Sequence, residues 1–487
     1  MTISLLDPSL LRRAAYIDGV WLDADSGATH AVVDPANGEI LAAVPDMGTA
    51  ETRRAIAAAA AAWPMWRAKT AKERGALLRR WYESILANQD DLALLMTREQ
   101  GKPLAEARGE VAYGASFVDW FAEEGKRAYG ETIPSPAADK RMLTLKQPVG
   151  VVAAITPWNF PLAMITRKLA PALAAGCSVV VKPAEATPLC ALALALLAER
   201  AGIPAGVVNV VTTARPAVVG AELTTNPTVR KLSFTGSTAV GKTLMAQCAA
   251  TVKRVSLELG GNAPFIVFDD ADLDAALRGA MASKFRNAGQ TCVCSNRLLV
   301  QAGIYDEFAR RLSAAVAALR VGPGSAADTQ IGPLINAAAR QKVDRLVRHA
   351  VDAGARIAVG GAPHALGGNF YAPTVLTDVM PSMAVAQEEI FGPVAALLRF
   401  EREDEAIALA NDTPYGLASY LYTRDIARAW RVAERLEYGM VGINEGIVSH
   451  EVAPFGGVKQ SGIGREGSSH GIAEYLQIKY LCLGGMG

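Results

Sequence analysis

Short apolar segments alternate with helical segments from Val149 onward, and this alternation restricts the fold more than any other feature of the sequence. The segments 149–155 and 178–182 are rich in valine and predict buried strands. The alanine- and leucine-rich segment 187–201 predicts a helix. Strands that alternate with helices at this spacing form parallel βαβ units, so the sequence predicts an α/β fold with a doubly wound, Rossmann-like sheet.

A second alternating series follows, with strands predicted at 295–301 and 394–400. A single hydrophobic core does not extend over 487 residues, so this series predicts a second α/β domain. Residues 138–147 alternate apolar and polar side chains and predict a two-stranded ribbon, and the strand-like tail 473–483 needs a partner edge. We expect a first domain from 1–128 and 149–262, a second from 263–450, and a small β oligomerisation segment from 129–148 and 468–487.

Composition excludes several classes of protein. The 49 basic and 48 acidic residues give a net charge of +1, which provides no excess charge to attract nucleic acid or an anionic membrane. Six cysteines without paired Cys-x-x-Cys motifs predict neither a disulfide framework nor a metal site. The N-terminus lacks a signal-peptide pattern, and prolines interrupt the uncharged segment 147–166. We therefore expect a cytoplasmic protein with reduced thiols.

Cys292 is the candidate nucleophile, because it follows a Gly-Gln pair just beyond an alanine-rich helical segment. A thiolate is a strong nucleophile near neutral pH and can hold an acyl group as a thioester. For a single cysteine, the alternative is a small buried apolar side chain. Cys294 lies two positions later and raises two further alternatives, a packed free thiol and a redox-switch disulfide with Cys292.

Two other polar residues follow predicted strands. Asn159 lies in a Thr-Pro-Trp-Asn-Phe-Pro stretch whose two prolines restrict the backbone, so its amide is a candidate oxyanion donor. Glu258 stands between apolar residues and a Gly-Gly pair. Burial would raise its pKa toward neutrality, which suits a base that takes a proton from water. The alternatives are a structural turn for Asn159 and a salt bridge for Glu258.

The stretch from Phe234 to Lys242 places glycines between a predicted strand and a predicted helix, where backbone N–H groups can approach a phosphate. Lys182 and Glu185 follow another strand and can hydrogen-bond vicinal ribose hydroxyls. These features favour a dinucleotide. The string from Gly236 to Thr243 also matches a P-loop, but no later apolar strand ends in a magnesium-binding aspartate.

Together these stretches resemble the aldehyde dehydrogenase family, and they occur in that family's order over nearly the whole chain. The stretches lie at 156–161, 182–185, 234–237, 258–261, 289–292 and 388–393. Within the family, the segments 164–168, 285–294 and 454–467 most resemble succinate-semialdehyde dehydrogenases.

The resemblance implies an NAD(P)-dependent oxidation of a carboxylated aldehyde, most closely succinate semialdehyde to succinate. It implies that Cys292 attacks the aldehyde, that Asn159 and the Cys292 N–H hold the oxyanion, and that Glu258 activates the water that hydrolyses the thioester. No metal is implied. The implied cofactor-binding residues, which assign the first domain to NAD(P), are Ile155, Thr156, Pro157, Trp158, Lys182, Ala184, Glu185, Phe234, Gly236, Ser237, Val240, Leu259, Glu389 and Phe391.

The prediction of the substrate depends on fewer residues than that of the cofactor. Arg167 and Arg286 match the family's anion-binding arginines, with Ser449, Phe160 and Phe455 beside them, and a guanidinium pairs with a carboxylate through two hydrogen bonds. The same arginines would accept glutarate semialdehyde or sulfolactaldehyde. An acyl-CoA-forming enzyme and a non-catalytic structural relative are further alternatives.

The carboxylate of Glu185 favours the ribose hydroxyl of NAD over the phosphate of NADP, although NADP remains open. The resemblance also implies a homo-oligomer, either a dimer or a tetramer.

Overall fold

The computed structural model describes residues 3–486, so Met1, Thr2 and Gly487, which end two of the expected ranges, lie outside the described residues. The strands are β1 (Ala15–Ile17), β2 (Val20–Leu22), β3 (Thr29–Val33), β4 (Ile40–Pro45), β5 (Thr132–Ile133), β6 (Arg141–Pro148), β7 (Val151–Ile155), β8 (Ser178–Lys182), β9 (Val208–Val210), β10 (Val229–Thr235), β11 (Arg254–Glu258), β12 (Ala263–Val267), β13 (Ser295–Gln301), β14 (Arg356–Val359), β15 (Thr374–Thr377), β16 (Val394–Phe400), β17 (Ala418–Tyr422), β18 (Met440–Ile443), β19 (Gly462–Ile463) and β20 (Leu476–Leu483). The helices are α1 (Thr49–Ala68), α2 (Ala71–Ala87), α3 (Gln89–Gln100), α4 (Leu104–Glu124), α5 (Ala163–Ala175), α6 (Leu189–Arg200), α7 (Pro216–Thr225), α8 (Thr238–Ala249), α9 (Leu273–Phe285), α10 (Tyr305–Ala317), α11 (Ala337–Asp352), α12 (Ala384–Gln387), α13 (Glu403–Asn411), α14 (Ile426–Arg435) and α15 (Ser468–Ala473).

The first large sheet has eight strands in the order β19-β11-β10-β7-β8-β9-β1-β2. Its five central strands, from β11 to β9, are parallel, and β1, β2 and β19 are antiparallel additions at the two sides. The chain order reverses beside β7, which lies between β8 and β10. In sheets of this kind, ligands bind at the carboxyl ends of the strands where the order reverses.

Helices cover both faces of this sheet because successive side chains of its strands point to opposite faces. Val152 and Ala154 of β7 belong to one apolar core with α2 to α6, whereas Val151, Ala153 and Ile155 belong to a second core with α1, α7 and α8. Strands β7 and β8 are therefore buried throughout. The predicted doubly wound α/β fold is confirmed.

The second large sheet has seven strands in the order β14-β15-β16-β13-β12-β17-β18. All of its pairings are parallel except that of β14 with β15. Its apolar core packs helices α9 to α14 against the strands. The chain passes from the first sheet to the second between Glu258 and Ala263, which brings the glycines 260 and 261 to the junction.

A three-stranded sheet, β20-β6-β5, stands apart from the two large ones. The sequence predicts a two-stranded ribbon for 138–147, but the sheet that contains this segment has three strands. Residues 141–148 form one continuous strand, which pairs with β20 along its whole length and with the short β5 on its other side. Strand β20 lies in the C-terminal segment 468–487 that the sequence analysis grouped with 129–148, whereas β5 was not predicted as a strand. The division of the chain into domains with separate roles stays a prediction.

Among residues 3–486, no helix combines the length and the apolar character needed to cross a lipid bilayer.

Candidate active site

The carboxyl ends of β7, β10 and β11 open onto a cavity of about 230 Å³ at the junction of the two large sheets. It contains the three candidate catalytic residues, which come from separate parts of the chain. Asn159 follows β7, Glu258 ends β11, and Cys292 lies in the loop before β13. The other lining residues are Pro157, Trp158, Met164, Thr235, Gly236, Ser237, Leu259, Gly260, Glu389 and Phe391. A larger hollow of about 450 Å³ around Arg297 has no cysteine in its lining.

Cys292 follows a sharp turn at 286–289. Asn287 and Ala288 both have φ of 53°, in the left-handed region that residues with a side chain rarely adopt. Burial raises the pKa of the Cys292 thiol to about 12, and the nearby charge of Glu389 acts in the same direction. The thiol is therefore protonated near neutral pH, and its attack on a substrate requires a base.

Glu258 is suited to act as that base. Its side chain is buried, and neither carboxylate oxygen has a hydrogen-bond partner among the described residues. Burial raises the pKa of Glu258 well above its ordinary value, and the negative charge of Glu466 raises it further. A carboxylate without hydrogen bonds in an apolar setting binds a proton more strongly than an exposed one does.

Glu466 carries this second charge within a buried cluster of ions. Lys168 Nζ lies 2.5 Å from its Oε1, and Arg167 Nη2 lies 3.0 Å from its Oε2. These two cations lower the pKa of Glu466 against the opposing effect of burial, so it remains ionised. The cluster therefore places a permanent negative charge near Glu258.

Asn159 Nδ2 donates one hydrogen bond, of 2.9 Å, to the carbonyl oxygen of Gln290. Its second amide hydrogen has no acceptor among residues 3–486, and neither does the backbone N–H of Cys292. Two free donors beside a nucleophile can hold an oxyanion.

One side of the cavity is aromatic and acidic. The rings of Trp158 and Phe391 meet edge to face, with 5.5 Å between centroids. Glu389 Oε1 accepts a hydrogen bond of 3.1 Å from the N–H of Gly261, and burial raises the pKa of Glu389 to about 7. On this side of the cavity, Trp158 and Phe391 form an apolar slot that suits a flat ring, and the carboxylate of Glu389 suits a sugar attached to that ring.

The turn from β10 to α8 also lines the cavity, through Gly236 and Ser237. Ser237 caps α8, and a Cβ atom on Gly236 would lie 2.5 Å from the Phe234 ring, so only glycine fits there. The P-loop alternative fails on this geometry. Gly241 and Lys242 lie inside α8 and not in a loop before it, so their N–H groups belong to the helix.

The remaining candidate cofactor residues lie close to this turn. Ile155 ends β7 and Phe234 belongs to β10, and both are buried. Ala184 is buried beyond β8, and Val240 is exposed in the first turn of α8. Thr156 Oγ1 is buried at the end of β7 without a hydrogen-bond partner.

Lys182 ends β8, and its Nζ lies 2.5 Å from Glu185 Oε1. His30 lies near this pair: burial lowers the pKa of His30, and the charges of Glu185 and Lys182 also act on it. An unpartnered hydroxyl, a glycine-only turn and a strand-end Lys–Glu pair fit a dinucleotide along this edge.

The two candidate arginines differ in their surroundings. Arg167 is buried within α5, bonded to Glu466 and stacked on the ring of Phe455 at 4.0 Å. Arg286 is half-buried, lies 5.4 Å from the centre of the Phe160 ring and makes no ion pair among the described residues. Arg286 thus has no counterion among the described residues, and Arg167 keeps Nε and Nη2 without a hydrogen-bond partner.

Ser449 lies near these arginines. The pKa of the Tyr113 hydroxyl is raised by burial and lowered by Arg167, Arg286 and Ser449, so the four side chains share one region. Tyr113 was not among the sequence candidates. The sequence reasoning also missed Lys102, Glu110, Asn287 and Glu466, which surround the candidate residues without lining the cavity. Of these, Asn287 and Glu466 carried a signal, because they belong to the family-like segments 285–294 and 454–467.

Cys294 is buried, and its Sγ lies 2.6 Å from Thr291 Oγ1 and 3.5 Å from the carbonyl oxygen of Lys284. Its thiol is therefore packed against its own loop and the end of α9. All six cysteines are free.

The chain is similar to a known family and to several of its members. Residues 21–481 match the model of the aldehyde dehydrogenase family. The chain is 63% identical to the glutarate-semialdehyde dehydrogenase of Pseudomonas aeruginosa, over 99% of this chain and 100% of that protein. It is also 63% identical to the 3-sulfolactaldehyde dehydrogenase of Pseudomonas putida, over 99% of each chain. A third relative is the succinate-semialdehyde dehydrogenase [NADP(+)] of Escherichia coli, at 62% identity over 99% and 100%.

Solved structures of similar proteins have the same fold. The succinate-semialdehyde dehydrogenase of Burkholderia pseudomallei has a TM-score of 0.98 at 64% identity, over 99% of this chain and 100% of that one. Betaine aldehyde dehydrogenase of Staphylococcus aureus, solved with NAD+, has a TM-score of 0.95 at 39% identity, over 98% and 95%. The chain belongs to the aldehyde dehydrogenase family, whose members are NAD(P)-dependent oxidoreductases.

Proposed function

We propose that this enzyme oxidises an aldehyde with an anionic group at its far end, with succinate semialdehyde as the first candidate, to the corresponding acid. The observation that carries the proposal is the convergence on one cavity of a thiol, a carboxylate without partners and a free amide donor. A buried carboxylate without partners and a buried amide hydrogen without an acceptor are unusual unless chemistry requires them.

Cys292 attacks the carbonyl carbon after losing its proton to Glu258. The negative charge then moves to the carbonyl oxygen, where the free N–H groups of Asn159 and Cys292 hold it. When bound, the nicotinamide cofactor supplies the hydride acceptor for this oxidation. The acyl group remains on Cys292 as a thioester. This division avoids a direct hydride transfer from a hydrated aldehyde.

Glu258 then serves a second time. After the thiol proton has passed from Glu258 to solvent, the carboxylate takes a proton from a water molecule. The resulting hydroxide attacks the thioester carbonyl, and the same two N–H groups hold the second oxyanion. The acid leaves as the C–S bond breaks, and the proton on Glu258 returns to the sulfur of Cys292. A raised pKa makes Glu258 a stronger base for this step than an ordinary carboxylate. Its presence favours hydrolysis over transfer of the acyl group to coenzyme A.

The cofactor residues are the fourteen named from the sequence, and we infer a preference for NAD. The ion pair from Lys182 to Glu185 supports this preference. While Glu185 occupies the lysine, a 2′-phosphate would meet a carboxylate and not a free cation. One relative is named for NADP(+), and a structure of another was solved with NAD+, so both cofactors occur among similar proteins.

Arg286 supports an anionic substrate, because its guanidinium lies over the Phe160 ring and makes no ion pair among the described residues. Glutarate semialdehyde and 3-sulfolactaldehyde carry anions that the same arginine would accept. The relatives named for these substrates are about as similar to this chain as the one named for succinate semialdehyde.

A panel of aldehydes tests the proposal. Succinate semialdehyde, glutarate semialdehyde, 3-sulfolactaldehyde and uncharged butanal are compared by kcat/KM with NAD+ and with NADP+. We expect succinate semialdehyde and NAD+ to give the highest value, and the Cys292→Ala variant to form no reduced cofactor. A preference for butanal would contradict the anionic substrate, and unchanged activity of Cys292→Ala would contradict the mechanism.

We further propose that the protein works as a homo-oligomer, a dimer or a tetramer, in the cytoplasm. Strand β20 is an edge strand with an unpaired side, and its Ile478 and Tyr480 are exposed. Such an edge ordinarily pairs or is covered. The six free cysteines fit a reducing compartment. Sedimentation of the purified protein determines the number of subunits.

A further inference from the structure

We propose that Lys102 and Glu110, which lie outside the cavity lining, are positioning residues that fix Asn159 as the oxyanion donor. This inference rests on the role that the proposed function gives to Asn159. It assigns a task to a buried ion pair that takes no part in the chemistry and that lies far from Cys292 in the sequence.

Lys102 lies between α3 and α4 and is only 2% exposed. Its ammonium group bonds to the carboxylate of Glu110 and donates a hydrogen bond of 2.8 Å to the carbonyl oxygen of Asn159. It also lies 4.1 Å from the centre of the Phe160 ring. A buried charge requires such partners, and here one of them is the main chain of the amide-bearing residue itself.

Glu110 connects this lysine to the start of α5. Its Oε1 accepts hydrogen bonds from the N–H groups of Leu162, at 3.0 Å, and Ala163, at 3.2 Å. A carboxylate is favourable at the N-terminus of a helix, where N–H groups lack partners. The ion pair therefore holds the loop from Asn159 to Leu162 at both ends.

Asn287 also fixes the position of Asn159. Its Nδ2 donates to the carbonyl oxygen of Asn159 at 2.9 Å, and its own backbone N–H donates to Glu106 at 2.7 Å. Gln100 donates to its side-chain oxygen at 3.0 Å. The α3–α4 segment thus holds both Asn159 and the left-handed turn before Cys292.

These contacts determine where the free amide hydrogen of Asn159 points. Its backbone carbonyl is held by two donors, and one amide hydrogen is committed to Gln290. With those atoms fixed, the other hydrogen has a single direction. A buried ion pair adds little stability compared with apolar residues of the same size, so stability alone gives no reason for a charge here.

A double-mutant cycle tests the inference. The pair Lys102→Met and Glu110→Gln is made together, so that no charge is left unpaired, in wild type and in Asn159→Ala. In the wild-type background we expect kcat to fall by about 10- to 100-fold, while KM for the aldehyde changes by less than about threefold. In the Asn159→Ala background the same pair should change kcat by less than about twofold, because a positioning residue acts only through its target.

Controls separate positioning from general damage. The exposed pair Glu123 and Lys126, 2.8 Å apart, receives the matching changes Glu123→Gln and Lys126→Met and should leave kcat unchanged in both backgrounds. Circular dichroism and thermal unfolding confirm folding. If the buried double variant does not fold, Glu110→Gln alone is used, since glutamine keeps an oxygen for Leu162 and Ala163. A loss that is equal in both backgrounds would overturn the inference.

The same cycle is run without cofactor or aldehyde, by measuring the acylation of Cys292 with p-nitrophenyl acetate. Attack of a thiol on this ester also passes through a tetrahedral oxyanion. If no anionic aldehyde is oxidised but the ester cycle shows the loss only when Asn159 is present, the proposed function fails and the positioning role stands. If aldehydes are oxidised but the losses are additive, the function stands and the positioning role fails.

Discussion

Arg167 is bound to Glu466 by an ion pair of 3.0 Å between Nη2 and Oε2, in the interior of the protein. Its guanidinium also covers the ring of Phe455. Glu466 also pairs with Lys168, so one carboxylate faces two cations. Arg167 therefore shares its counterion and keeps unpartnered guanidinium nitrogens, whereas Arg286 makes no ion pair among the described residues.

We predict that Arg286→Met raises KM for succinate semialdehyde by about 10- to 100-fold, because a charged hydrogen bond contributes about 1.5–3 kcal/mol. The kcat/KM for butanal, which has no carboxylate, should change by less than about threefold. Steady-state kinetics with both aldehydes measure the difference. Arg278→Met, on the exposed side of the preceding helix, is the control. Equal losses for both aldehydes would show that Arg286 has a structural task.

Glu466→Gln should shift the pH dependence of thioester hydrolysis. Glu258 must lose its proton to act as a base, so the rate rises with pH through its pKa. The charge of Glu466 raises that pKa. Removing the charge, while Arg167 and Lys168 stay, lowers the pKa of Glu258 and moves the rising limb to lower pH. The deacylation rate is measured as a function of pH. A rising limb of the pH–rate profile that stays in place or moves to higher pH would contradict the effect of the Glu466 charge on Glu258.

Glu185→Ser should weaken the preference for NAD. Loss of this carboxylate frees the ammonium of Lys182 for a 2′-phosphate, and we expect binding of NADP+ to tighten by about tenfold. Fluorescence titration with both cofactors measures the affinities directly. Glu307→Ser, at an exposed ion pair remote from the cavity, should change neither affinity. Tighter binding of NADP+ than of NAD+ by the wild type would contradict the inferred preference.

Gly289→Ala should destabilise the protein. Gly289 has φ of 75°, and a Cβ atom there would overlap the carbonyl oxygen of Gly392. We expect a loss of about 1–3 kcal/mol in the free energy of unfolding, together with displacement of Cys292 three positions later. Gly303→Ala is the control, since the nearest heavy atom would lie 4.0 Å from its Cβ. Thermal unfolding compares the two, and similar midpoints would refute the strain argument.

Cys294→Ala tests whether the second cysteine acts as a redox switch. The Cys294 thiol contacts Thr291 and the end of α9, so a disulfide with Cys292 requires the loop to move. From this packing we predict that peroxide inactivates the variant and the wild type at the same rate, and that dithiothreitol restores neither. Recovery of the wild type alone would establish the switch.

The sequence predicted the parts of the site that follow from local rules. Valine-rich strands are recognisable from their composition, and ligands bind beyond the carboxyl ends of such strands, so Asn159 and Glu258 could be selected before any geometry was known. The Gly-Gln-x-Cys stretch singled out Cys292. All three line one cavity.

The parts that escaped prediction depend on contacts between distant positions. Glu466 is 298 residues from its partner Lys168, and no local pattern announces that pairing. Lys102 is 57 residues from Asn159, and as a lysine in a Gly-Lys-Pro loop it looks like a surface residue. The ion pair of Arg167 with Glu466 could not be predicted for the same reason.

Strand β19 makes the proposed base depend on a distant part of the chain. Gly462 and Ile463 pair with the end of β11 at Glu258, and Ser461 Oγ donates to the carbonyl oxygen of Gly260, 201 residues earlier. Residues 461–463 therefore complete the sheet beside Glu258. A variant that loses this pairing would keep the thiol and the amide but lose the neighbour of the carboxylate.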